Sequence, residues 1–215
     1  IASCLVGSEM CIRDRYETVQ SILAKSGHIN HKYLKESESD KKAVIVVTAN
    51  RGLAGGYNSN ITRMIIDEGF TKENTVVYAV GKKGRELLER KGYEIKADYS
   101  EAINDPIYKD AKEICDDVLS AFADGEVGEI YLAYTVFKNT VVHEPQLIRL
   151  LPVEADDAAH ETDGSEALMT YEPSEEEALD MIIPKYVCSL VYGALIESVA
   201  SENGARMQAM DSATS

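Results

Sequence analysis

Two apolar runs in the chain are continuous and β-branched, Ala43–Val47 (AVIVV) and Thr75–Val80 (TVVYAV), as expected of strands buried on both faces. A turn-rich stretch follows each run, and apolar residues then recur at helical spacing. After the first these are Ile61, Met64, Ile65 and Ile66; after the second they lie in RELLERKG. A short strand is predicted over Tyr93–Ala97. A helix is predicted over Ile107–Phe122, with Ala111, Ile114, Cys115, Val118 and Leu119 on one face. EIYLAYTVF (129–137) and TVVHEPQLIRLLPV (140–153), joined by Lys138 and Asn139, predict an antiparallel hairpin. Strand–helix alternation of this kind predicts an α/β fold, a doubly wound sheet with an antiparallel edge.

The flanking segments differ in character. Residues 1–15 (IASCLVGSEMCIRDR) carry no usable period and are expected to be a non-native leader. Residues 16–42 show weak helical spacing (Val19, Ile22, Leu23), broken at Gly27, then a charged linker. The α/β body is placed at 43–153, an acidic loop with a last short strand at 154–173, and a long helix at 174–215. Ser174 and Glu177 suit a capping box for that helix, and Pro184 is expected to bend or restart it. From Tyr186 to Ser215 only Glu197, Glu202, Arg206 and Asp211 are charged. Small or uncharged residues recur at Ala194, Ser198, Ser201, Ala205, Gln208 and Ser212, the spacing of a heptad seam, with Met207 and Met210 on another face. A helix so poor in charge needs a cover. No segment of suitable length is left within the chain to supply one, so a partner helix is expected.

Charge sharpens this division. The 215 residues carry 37 acidic and 22 basic side chains, a net −15. That balance argues against a general nucleic-acid binder and against a helix held to anionic lipid by a basic face. Residues 150–184 hold 11 of the acids and no lysine or arginine, so the rest of the chain is close to neutral. Four scattered cysteines (Cys4, Cys11, Cys115, Cys188) suit a reducing compartment and match no zinc pattern. The uncharged run Tyr186–Ile196 is about half the roughly 20 residues that cross a bilayer, so a soluble protein is expected.

The loop Asn50–Asn58, with Arg51, Gly52, Gly55, Gly56 and Asn58, lies between a strand and a helix, where backbone N–H groups hold phosphate in some folds. It matches neither GxGxxG nor GxxxxGK[ST], and Gly81-Lys82-Lys83 stands where a ribose-binding acid belongs. The glycines are therefore expected to serve positive φ and close helix–sheet packing. Lys82 and Lys83 are expected to be a solvated helix start. A nucleotide-binding enzyme or sensor is the alternative reading, and an acidic interaction module the third. His28, His31, His143 and His160 are scattered, and His28 and His31 are expected at the surface. No catalytic, cofactor or metal constellation is visible.

Three stretches resemble the gamma subunit of the F-type (F1Fo) ATP synthase: TANRGLAGGYNSNI, MTYEPSEEEALDMIIPKYVCSLVYGALIES and, most specifically, ASENGARMQAMDSATS (200–215). The resemblance runs in one order from about Tyr16 to the end. It implies a Rossmann-like domain without bound nucleotide between two long helices, which pair as an antiparallel coiled coil and enter the α3β3 ring. The function implied is that of a central-stalk rotor, a non-catalytic subunit of the proton-transporting complex on the cytoplasmic face of the cell membrane. Its implied partners are the alpha, beta and epsilon subunits and the membrane c-ring, with no direct bilayer insertion. Tyr171, Glu172 and Pro173 match the foot facing the c-ring. Ala205, Arg206, Met207, Met210 and Asp211 match the shaft. Against the family pattern, most of the N-terminal helix and the C-terminal end are missing. The chain is therefore expected to be a fragment with an incomplete coiled coil and poor torque transmission.

Overall fold

A computed structural model describes residues 31–34, 39–139, 142–153 and 175–214. The leader, most of the N-terminal segment, the acidic loop, the strand expected at MTYEP, and Ser174 lie outside the described residues. Five strands form one sheet: β1 (Lys42–Val47), β2 (Thr75–Val80), β3 (Glu94–Asp98), β4 (Glu129–Phe137) and β5 (His143–Leu151). Their order is β3-β2-β1-β4-β5. The first four are mutually parallel, and β5 runs antiparallel to β4 at the edge. Among the described residues the α-helices are α1 (Tyr57–Asp67), α2 (Lys82–Arg90), α3 (Tyr108–Ala123) and α4 (Glu175–Thr214).

The sheet has a core on each face, as the continuous apolar strands require. Val44, Val46, Val77 and Ala79 point toward Ile61 and Ile65 of α1 and Leu88 of α2. Their alternates Ala43, Ile45, Val47, Tyr78 and Val80 point toward α3 and α4, including Ile114, Val118, Ile183, Leu190 and Val191. The connection between β4 and β5 is longer than expected. The ladder pairs Phe137 with His143, and the Lys138 N–H donates to the Val142 carbonyl at 3.3 Å.

Helix α4 bears on two expectations. It runs through Pro184 without a restart. Burial of the neighbouring Ile183, Tyr186 and Val187, which share one helix face, offsets the hydrogen bond that proline cannot donate. The helix also finds much of its cover inside the chain. Ala194, Ser198 and Ser201 are fully buried and Ala205 is half-buried, whereas Gln208 and Ser212 are exposed. The first four seam positions thus face the body and only the last two lie beyond it. By length and composition the stretch from Leu179 is apolar enough to cross a membrane, but half of its most apolar window is buried against the protein.

His31 is also corrected. It is buried, with Nε2 3.2 Å from Asp180 of α4 and Nδ1 accepting the Tyr33 N–H. Lys32 Nζ reaches the same carboxylate at 2.8 Å. Asp180 lies in the second turn of α4 and holds His31 and Lys32 against it, so this histidine has a carboxylate partner remote in sequence.

At the start of the sheet Glu129 of β4 binds Lys42 of β1 at 2.9 Å and Arg149 of β5 at 3.4 Å. Burial alone would raise this carboxyl, but the Lys42 ammonium, with Tyr131 and Arg149, outweighs it and holds the group below its ordinary 4.5. A depressed native pKa stabilises the fold above the unfolded pKa, and that stability is lost as pH falls through the native value. Between about pH 6 and pH 3, Glu129→Gln is expected to lose less thermal stability than the parent chain. Calorimetry across that window checks it; equal losses would deny the ion pair its role.

Candidate functional site

The carboxyl ends of β1 and β4 are the topological switch point. In doubly wound sheets ligands bind in the crevice that opens there. In this chain both sides of that region are occupied by its own groups.

On the β2 side, the first-turn N–H groups of α2 are engaged. Lys82 N–H donates to Asn50 Oδ1 at 2.9 Å, Lys83 N–H to the Ala49 carbonyl at 3.0 Å, and Gly84 N–H to Thr48 Oγ1 at 2.9 Å. Asn50 Nδ2 is fixed in turn by the Ser100 carbonyl at 2.7 Å and Asn104 Oδ1 at 2.9 Å. A phosphate placed at this helix start would have to displace these acceptors. Lys82 and Lys83 lie at the helix start, half-exposed, with Glu101 at 3.4 Å and Glu86 at 2.8 Å respectively.

The close packing assigned to the loop glycines belongs elsewhere. A Cβ on Gly81 would stand 2.1 Å from the Thr48 carbonyl oxygen, and one on Gly84 2.5 Å from Thr48 Oγ1. Gly52 and Gly55 have open space around that position, and Gly56 meets only the Asn60 side chain. Gly55 does adopt positive φ (+56°), as does Leu53 (+61°), a bulky residue in a conformation normally avoided. Leu53 is 81% exposed, and Arg51 is exposed beside it. Asn58 ties the loop down by accepting the Ala49 N–H at 2.9 Å.

On the β4 side, α4 itself crosses the switch point. Ser201 Oγ donates to the Thr135 carbonyl at 3.1 Å, and the Phe137 N–H donates to Glu197 Oε1 at 3.3 Å. Tyr57, the first residue of α1, donates its hydroxyl to the Ser198 carbonyl at 3.0 Å. Burial pushes the Tyr57 phenol well above its ordinary range, so it stays a protonated donor. Ala49, Ala54 and Tyr57 form a small apolar cluster on which Ala205 packs. Gly204 lies against the rings of His143 and Phe137, where an added Cβ would meet His143 Cε1 at 2.6 Å.

These contacts bring the loop and the shaft residue Ala205 together. Beyond Ala205, Arg206 pairs with Glu202 one turn back, and Met207, Met210 and Asp211 are exposed. Tyr171, Glu172 and Pro173 lie outside the described residues. Sequence reading had no reason to single out Tyr57, Thr135, Glu197 or Gly204. The available signal was a glutamate and a glycine inside an otherwise apolar, small-residue helix. Among the described residues no cluster of three or more His, Cys, Asp or Glu side chains could hold a metal.

The comparisons with known proteins agree with this architecture. The family model described as ATP synthase matches residues 9–215. The ATP synthase gamma chain of Lachnoclostridium phytofermentans is 62% identical over 205 residues, covering 93% of this chain and 70% of its own length. The gamma chain of Acetobacterium woodii, described as sodium ion specific, is 38% identical and covers 92% and 71%. Among solved structures, the central stalk and c-ring of the Tetrahymena thermophila mitochondrial ATP synthase contains a chain that superposes with a TM-score of 0.64. That match has 22% identity and covers 99% of this chain and all of the other. The rotor of the Euglena gracilis enzyme gives 0.60 at 16% identity, covering 98% and 88%. On this footing the chain belongs to the ATP synthase gamma-chain family.

Proposed function

We propose that this chain works as the central-stalk rotor of an F1Fo ATP synthase, coupling transmembrane ion flow to ATP synthesis by turning inside the α3β3 ring. The observation that carries the reading is the course of α4. It packs on the body as far as Ala205 and then emerges with Met207 and Met210 on its exposed surface. A helix built this way is a shaft rooted in a body.

In this reading α and β meet the emergent helix, and epsilon and the c-ring meet the body and the foot at Tyr171, Glu172 and Pro173. The complex stands on the cytoplasmic face of the membrane. The chain supplies stiffness and shape, and the phosphoryl chemistry belongs to the ring. Coupling requires each β conformation to prefer a different face of the shaft, because contacts equal in all states would shift no equilibrium. The occupied helix start at α2 supports this role over a nucleotide-binding enzyme. The test is co-assembly. A full-length gamma chain carrying these residues should co-purify with α and β and form an ATP-hydrolysing complex whose body turns. Micromolar binding of ATP, ADP or NAD by the chain alone, without co-assembly, would favour the alternative instead.

A further inference from the structure

The contacts between α4 and the body have a geometry suited to carrying a twisting load. Glu197, Ser201 and Gly204 follow one another at spacings of four and three, so they lie on one helix face. That face meets the end of β4 and the start of β5. Ser198 and Ala205, seven apart, lie beside it and meet Tyr57 and the glycine loop. The helix is therefore held from two directions.

The three hydrogen bonds differ in sense. The helix donates through Ser201, accepts through the Glu197 side chain and accepts through the Ser198 backbone carbonyl. Glu197, Ser198, Ser201, Thr135 and Tyr57 are all buried. Away from water such bonds are stronger, and breaking them leaves polar groups without solvent. Gly204 adds a steric stop. Successive residues are about 100° apart around a helix, so a roll by one position would bring Asn203 or Ala205 to face His143. A Cβ at the Gly204 site already meets that ring at 2.6 Å, so neither neighbour fits.

We infer that Tyr57, Glu197, Ser201 and Gly204 form a torque clamp, the joint through which rotation passes between the body and the shaft helix. The inference rests on the rotor reading above. Tyr57, Glu197 and Ser201 are positioning residues, and Gly204 is the place where the helix is notched to receive His143. The clamp lies beside the crevice where related sheet topologies bind a ligand, a cleft of about 440 Å³ lined here by Tyr57, Thr135, His143 and Ala205. In this chain the switch point holds a helix.

The test uses assembled enzyme containing a full-length gamma chain with these residues, its ring stalled and a bead attached to the body. The angular fluctuation of the bead reports torsional stiffness. Tyr57→Phe, which loses a buried hydrogen bond, and Gly204→Ala, whose added Cβ pushes the helix off His143, should each raise the angular variance by about twofold or more. Adding His143→Ala to Gly204→Ala should bring the variance back toward that of His143→Ala alone. Melting temperatures of the same variants give the purely structural cost, which need not follow the order of the variances. Unchanged variance in both single variants, with the complex assembled, overturns the clamp. So does a Gly204→Ala defect that His143→Ala leaves untouched. If Gly204→Ala fails to assemble, Tyr57→Phe decides the matter. Failure of the unsubstituted chain to assemble overturns the rotor reading itself.

Discussion

Alanine in place of Gly81 is expected to destabilise the chain by about 3–5 kcal/mol, from a backbone conformation reserved for glycine and a steric conflict added to it. Gly81 follows β2 and precedes α2 with φ +117° and ψ 130°. An alanine Cβ would stand 2.1 Å from the Thr48 carbonyl oxygen and 2.6 Å from its carbon. Both are backbone atoms at the end of β1, held in the parallel ladder that pairs Val47 with Val80, so no rotamer change relieves the contact. Retreat would also disturb the Thr48 hydroxyl, which donates to the Gly81 carbonyl and accepts the Gly84 N–H. Gly125 is the control, because it also has positive φ (+73°) but nothing within 4 Å of the place a Cβ would take. Its alanine variant should lose only about 1–2 kcal/mol. Urea denaturation of the two variants reads the difference directly. Equal losses would show that close approach to Thr48 contributes nothing.

The second large effect is expected at Leu190, in the middle of α4. The side chain is fully buried in the layer that joins α4 to α3 and the sheet. Leu190→Ala should cost about 2–5 kcal/mol, the transfer term plus a cavity the surrounding helices close only partly. Domains of this kind are stable by roughly 5–15 kcal/mol, so a large share of the folded margin would go. Met207→Ala, on the emergent half of the same helix, should change stability by about 0.5 kcal/mol or less. One helix would thus show two regimes, rooted and free. A Met207→Ala loss as large as that of Leu190→Ala would mean that the last turns are packed on the body as well.

Much of the body was legible in the residues. AVIVV and TVVYAV are long enough, and β-branched enough, to mean strands covered on both sides, and the hairpin of β4 and β5 closes the edge as its alternation implies. The less legible features depend on pairs far apart in sequence. Nothing local tells that Gly81 and Gly84 meet Thr48, so the packing role fell to the more conspicuous glycines of the loop. His31 was read as a surface residue because its partner, Asp180, is 149 positions away. The small-residue seam has the spacing of a coiled coil and predicts a partner helix, but the periodicity does not say what approaches. Its first four positions meet the body, since serine and alanine suit a strand end as well as a partner helix. The positive φ of Leu53 had no sequence signal, because leucine is the wrong residue for it.

These features converge on a body whose switch-point crevice is crossed by its own shaft, with a cleft of about 440 Å³ left between the glycine loop, the β4–β5 end and the last turns of that helix. The most direct measurement of that account places a bead on the body of the assembled enzyme, at Glu73→Cys, where the parent side chain is 70% exposed. Cys115 and Cys188 are buried, and Cys4 and Cys11 are replaced by serine so that labelling is confined to the new site. With the α3β3 ring fixed and ATP supplied, the bead should turn continuously in one direction while ATP is hydrolysed. ATP hydrolysis by an assembled ring beneath a body that does not turn would contradict the account.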